Sequence, residues 1–277
     1  MLQSATITLP AIIMILVYVL LILAGTITAT FLILRAMRSP IQWVDRAEWL
    51  RTRPWTWREG VTIIGIIALL IGLGWAISGL LHHPKEGTQV IIQGLTLDLA
   101  GLGGIAWLAH SRGWRWSEAF GISTLSPKLI KYGLVFYITL IPFIVMSSLV
   151  YQGILSANGY PPNLQDVALL LSGDYPLWGR IVICLFAIGV APVFEECVFR
   201  GILLPIAVKK YGLGAGIFMI SFLFAAIHLH LGSFIPLLII ACGFSLGYLY
   251  TKSLWVPIIM HGLFNGVNLA MLLVLPH

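Results

Sequence analysis

The run APVFEECVFRG, residues 191–201, sets Glu195, Glu196 and Arg200 in otherwise apolar sequence; the ten residues before it and the seven after it carry no charge. Two later apolar runs carry polar groups at helical spacing: FAAIHLHLG holds Phe224 and His228, and MHGLFNGVN holds His261 and Asn265. On a helix, positions four apart lie about 40° from each other, so Glu196 and Arg200 can pair on one face. Glu195 lies about 140° round from Arg200 and is left to hold something else. A carboxylate beside a neutral imidazole can hold and deprotonate a water molecule. A second imidazole and a carboxamide on one helix face are donors suited to a developing oxyanion. Together these groups suit water-dependent cleavage of an acyl bond.

The elements that carry them must cross a membrane. Of the 277 residues, 59% are hydrophobic and only 9% are charged, where a soluble domain has about 25% charged residues. Stretches of about 20 apolar residues, enough to cross a bilayer as helix, fall near 10–34, 61–81, 89–109, 132–155, 179–207, 213–230, 233–251 and 255–275. The fold expected is an all-α, polytopic membrane bundle of about eight helices. No internal repeat or soluble domain interrupts it. Of the 16 Lys and Arg residues, 13 lie in the odd-numbered connections. By the positive-inside rule those connections are expected in the cytoplasm and both termini outside. The net charge of +6 thus reports topology, and nucleic acid is not expected as a partner.

The connections are less informative. The first mixes Trp43, Trp49, Trp55 and Trp57 with arginines, as expected of an interfacial segment beside an anionic leaflet. In the extracellular segment, Asn163 with Asp166 three residues on is placed to cap a short helix. The N-terminus lacks a basic signal-peptide region, so the first apolar run is expected to be retained. Cys184, Cys197 and Cys242 lie within apolar runs, with neither disulfide nor metal-knuckle spacing.

Each charge near the bilayer centre opposes insertion by about 2.5–3.5 kcal/mol, so Glu195, Glu196 and Arg200 must face the bundle interior or a wet cavity. The order EECVFRG, FAAIH, HGLFN resembles the EExxxR, FxxxH and HxxxN/B pattern of the CAAX prenyl protease and bacteriocin-processing (Abi) family of intramembrane glutamic endopeptidases. The resemblance covers about residues 115–277, including EAFGI and SLWVPIIMHGLFN. It implies a catalytic core there, behind N-terminal helices over 1–114 that carry no motif. It further implies that Glu195 activates the water together with His228, and that His261 and Asn265 form the oxyanion site. Glu196 and Arg200 would hold the site electrostatically and in shape, with Phe224 lining it. No cofactor or metal is implied. The implied substrate is a membrane-associated or lipidated peptide or protein, in what is expected to be a prokaryotic inner or plasma membrane.

Four other readings compete. A zinc peptidase could use His228, His261 and Glu195 as ligands, but there is no HExxH and no two histidines share a helix face. A thiol protease would need Cys197 beside a basic partner on its face, and none is there. A transporter could line a pathway with Gln93, Asp98 and the glycines at 101, 103 and 104; against it, no broken helix or inverted repeat is visible, and glycines equally permit close helix packing. An immunity or scaffolding protein could keep the bundle and bind a partner without chemistry.

Overall fold

The computed structural model describes residues 8–38, 43–81, 86–160 and 176–274. Asn163, Asp166 and Lys85 lie outside the described residues. In chain order the helices are α1 (Leu9–Arg38), α2 (Trp43–Arg51), α3 (Trp57–Leu80), α4 (Gly87–Ser111), α5 (Trp116–Phe120), α6 (Pro127–Ala157), α7 (Leu177–Tyr211), α8 (Leu213–Ile227), α9 (Phe234–Thr251) and α10 (Trp255–Val274). No strand occurs among the described residues. The chain is an all-α membrane bundle.

Among the described residues, seven helical segments are long and apolar enough to cross a bilayer; the sixth includes a single 3-10 turn, Leu231–Ser233, ahead of α9. The remaining apolar segment, α8, has 15 residues and spans only about 22 Å at 1.5 Å per residue. It ends early because the chain turns at Leu229, whose φ is 50°. His228 thus caps the C-terminus of α8.

The odd-numbered connections gather at one end of the bundle through bonds to backbone carbonyls. Arg53 donates to Ser117 O at 3.0 Å and Glu118 O at 2.9 Å. Lys209 reaches the carbonyls of Arg53 and Trp55, and Arg46 reaches those of Leu249 and Tyr250 at the end of α9. Trp255 Nε1 donates to Ser123 O at 2.8 Å. Connections 1, 3, 5 and 7 therefore meet on the same face, as an even alternation of crossings requires. Two caps fix helix starts there. Thr56 and Glu59 form a capping box at α3, and the Ser126 hydroxyl accepts from Leu129 N at the start of α6.

Proline shapes both crossings next to the site. Pro142 in α6 has no N–H for the carbonyl of Ile138. Gly25 of α1 lies against that carbonyl, where a Cβ would approach Ile138 O to 2.3 Å. Helix α7 contains two π-helical turns, Phe186–Val190 and Cys197–Leu203. Pro192 and Pro205 each stand just after one of them and deny the carbonyls of Ile188 and Gly201 their usual partners. The six residues Ala191–Glu196 between the π-turns form an α-helical stretch.

Candidate active site

Glu196 and Arg200 are fully buried and form an ion pair, with Arg200 Nη1 donating to Glu196 Oε1 at 2.8 Å. The second guanidinium nitrogen donates to Ala241 O of α9 at 2.9 Å. The guanidinium also lies 4.7 Å from the centre of the Phe224 ring and 5.1 Å from that of Phe244. Two aromatic faces and a carbonyl thus surround a cation that could not otherwise be tolerated at this depth. Behind it, Gly201 admits the Phe120 ring of α5, which a Cβ would meet at 2.4 Å. Tyr248 holds that corner by donating to Phe120 O at 2.9 Å.

His261 joins the two glutamates. Its Nδ1 donates to Glu196 Oε1 at 2.9 Å, and its Nε2 lies 3.8 Å from Glu195 Oε2. The ring stacks on Phe244 at 5.1 Å between centroids and meets Phe224 edge-on at 5.6 Å. Glu195 retains 22% side-chain exposure, against none for Glu196. Its Oε2 is buried and has no hydrogen-bond partner among the described residues. The two adjacent carboxylates therefore stand in unlike surroundings: Glu196 is fully buried with Oε1 held by both Arg200 and His261 and Oε2 unpartnered, while Glu195 is partly open.

Asn265 donates from Nδ2 to Ala187 O at 2.7 Å, in the first π-turn of α7. One amide hydrogen is thereby used, and the second remains. His261, Gly262 and Asn265 dock α10 antiparallel against α7, since successive contacts run His261 to Glu196, Gly262 to Ile188 and Asn265 to Ala187. A Cβ at Gly262 would come 2.7 Å from the Ile188 carbonyl oxygen. Because that atom is backbone and cannot rotate away, Gly262→Ala is expected to destabilise by about 1–3 kcal/mol. The expected result is a lower melting temperature in detergent. An unchanged melting temperature would mean that the two helices do not meet this closely.

His228 sits apart from this pair of glutamates. Its Nδ1 donates to Phe224 O at 2.7 Å, and its ring packs 4.8 Å from the Phe224 ring. A carbonyl can only accept, so Nδ1 carries a proton and Nε2 is the ring nitrogen left for other partners. The Phe224 ring contacts both imidazoles, and no hydrogen bond or ion pair joins His228 to Glu195 among the described residues. The structure thus brings His261, rather than His228, within 4 Å of both glutamates.

Three members of the site were not singled out for it from sequence. Phe244 and the carbonyl of Ala241 come from α9, where the only polar neighbour, Ser245, donates to that same carbonyl at 3.1 Å and carries no charge to draw notice. Asp98 of α4, considered above for a pathway, lies within electrostatic reach of Glu195. Among the described residues no three His, Cys, Asp or Glu side chains are arranged as a metal cluster.

A long-helix membrane bundle with a buried carboxylate–imidazole–guanidinium set has the groups that hydrolysis within a membrane would need. Residues 177–267, about a third of the chain, match the family described as Rce1-like: type II CAAX prenyl endopeptidase Rce1-like. The match falls on the segment that carries the motifs and agrees with the CAAX protease resemblance of their order, and the activity that family implies is that of a protease. Comparison with curated proteins and with solved structures gave no match.

Proposed function

We propose that the protein is an intramembrane endopeptidase in which Glu195 activates the attacking water on a membrane-associated or lipidated peptide. The observation that carries this reading is the inequality of the two glutamates. Glu196 is tied to Arg200 at 2.8 Å and to His261 at 2.9 Å and has no exposed side-chain surface, while Glu195 makes no hydrogen bond through Oε2 and keeps 22% side-chain exposure. A base must have a free lone pair that water can reach, and of the two glutamates only Glu195 keeps side-chain exposure and no hydrogen bond to a fixed cation. His228, packed against the Phe224 ring, assists through Nε2. His261 and Asn265 act on the developing oxyanion. For Nε2 of His261 to donate there, the ring must carry both protons, and the carboxylates on either side supply acceptors for them. Glu196, Arg200 and Phe224 hold this arrangement, and residues 115–277 act as the catalytic core braced by the helices of 1–114.

The orientation follows from the gathered basic connections. That face is read as cytoplasmic, with the termini outside and the site opening towards the cytoplasm of a prokaryotic cell. The test of the function is a comparison of membrane peptides by mass spectrometry between cells carrying the intact protein and cells carrying Glu195→Ala. Products present only with the intact protein are expected, and identical peptide sets would refute the reading.

The reaction needs no metal on this account. Chelators are expected to leave cleavage unchanged in purified protein. Loss of activity to a chelator, restored by zinc alone, would move His228, His261 and Glu195 from acid–base roles to metal ligation.

A further inference from the structure

Helix α4 lies outside the motif-bearing part of the chain, yet it packs directly on the segment that carries Glu195. Two glycines define the contact. A Cβ at Gly94 would come 2.7 Å from the Phe186 ring, and one at Gly101 would come 2.5 Å from the ring of Phe194, the residue before Glu195. The contacts advance together along both chains, so α4 and α7 run parallel here. Asp98 is four residues after the first glycine and three before the second, which puts it on the same face. It also falls within a π-helical turn, Gly94–Leu99. Thr96 supports that turn by donating its hydroxyl to Ile92 O at 2.8 Å. Such turns inside longer helices occur often at functional sites.

Asp98 is only partly buried, and no hydrogen bond or ion pair to it is formed among the described residues. The carboxylate it does interact with is Glu195, a like charge. An unpaired acid at membrane depth beside a second acid is costly to keep, which makes a functional reason the default. The cost is smallest when the two carboxyls hold one proton between them.

We propose that Asp98 is the general acid of the site, carrying the proton that the leaving nitrogen requires. This rests on the reading of Glu195 as the base. Glu195 takes a proton from water as the water oxygen bonds to the scissile carbonyl carbon, and the carbonyl oxygen becomes an oxyanion. As the carbonyl re-forms, the C–N bond breaks and the nitrogen takes the proton from Asp98. The proton on Glu195 then passes to the Asp98 carboxylate, and water has been consumed to give one acid and one amine. No other reactant enters.

The test uses two probes with the same sequence: a farnesylated peptide ending in Cys-aliphatic-aliphatic-X, and its analogue with a thioester at the scissile bond. Should the wild type leave that sequence intact, both probes are built on a sequence found cut in the membrane-peptide comparison. In Asp98→Asn, kcat for the amide is expected to fall by about 10²-fold or more, with KM nearly unchanged. Thioester cleavage should stay within about a factor of three, because a thiolate near its pKa of about 8.5 leaves without needing a proton. Asp98→Glu should recover part of the amide rate. The Asn variant replaces a neutral carboxyl by a neutral amide of the same size, so its melting temperature should not fall. Equal loss on both probes would mean that Asp98 merely shapes the site, and amide cleavage at the wild-type rate would remove it from the reaction. Both results overturn the proposal while leaving Glu195 as the base. Full activity of Glu195→Gln on both probes would instead overturn the base on which the proposal rests.

Discussion

Glu195→Gln is expected to lower turnover by about 10²–10⁴-fold, the usual contribution of a positioned general base, without lowering the melting temperature. The amide keeps the size of the side chain and removes only the basic oxygen. Little stability is at stake, because the carboxylate keeps 22% exposure and its Oε2 has no hydrogen-bond partner among the described residues. Purified wild type and variant, compared for cleavage rate and melting in the same detergent, decide the matter. A well-folded Glu195→Gln protein that cleaves at the normal rate would take the base away from this residue, and the glutamate mechanism with it.

Glu196→Gln should behave differently although the residue is adjacent. Glu196 Oε1 accepts from both Arg200 and His261, with all three side chains nearly or fully buried. Removing its charge leaves the guanidinium uncompensated in low dielectric, which typically costs about 3–5 kcal/mol. The same change weakens the bond that orients His261, so activity falls along with stability. A double variant separates the two effects. Glu196→Gln combined with Arg200→Met removes the stranded cation, and replacing both partners of a buried pair is often close to neutral. The double variant is therefore expected to melt above Glu196→Gln alone while remaining inactive, because His261 still lacks its anionic partner. If Glu196→Gln melts with the wild type, the ion pair does not hold the site together.

These predictions draw on two kinds of information. Apolar composition and length alone determined the class of fold, because a bilayer accepts few backbone solutions and a span is a local property of about 20 residues. The ion pair between Glu196 and Arg200 was equally legible, since both partners lie on one helix and the i,i+4 spacing sets their distance. Motif order sufficed to suggest the family. The limits appear where contact crosses between helices. Spacing within α8 and α10 says nothing about which imidazole meets which glutamate, and it was the docking of Gly262 on the Ile188 carbonyl that brought His261 beside both. The early end of α8 at Leu229 is likewise invisible in an apolar run, because a positive φ at leucine is a tertiary outcome and carries no local signal. Asp98 shows the same division. The sequence marks it as a charge out of place, but only the packing of Gly94 and Gly101 against Phe186 and Phe194 turns its helix face towards the segment that carries Glu195, since rotation of one helix about its axis is set by its neighbours.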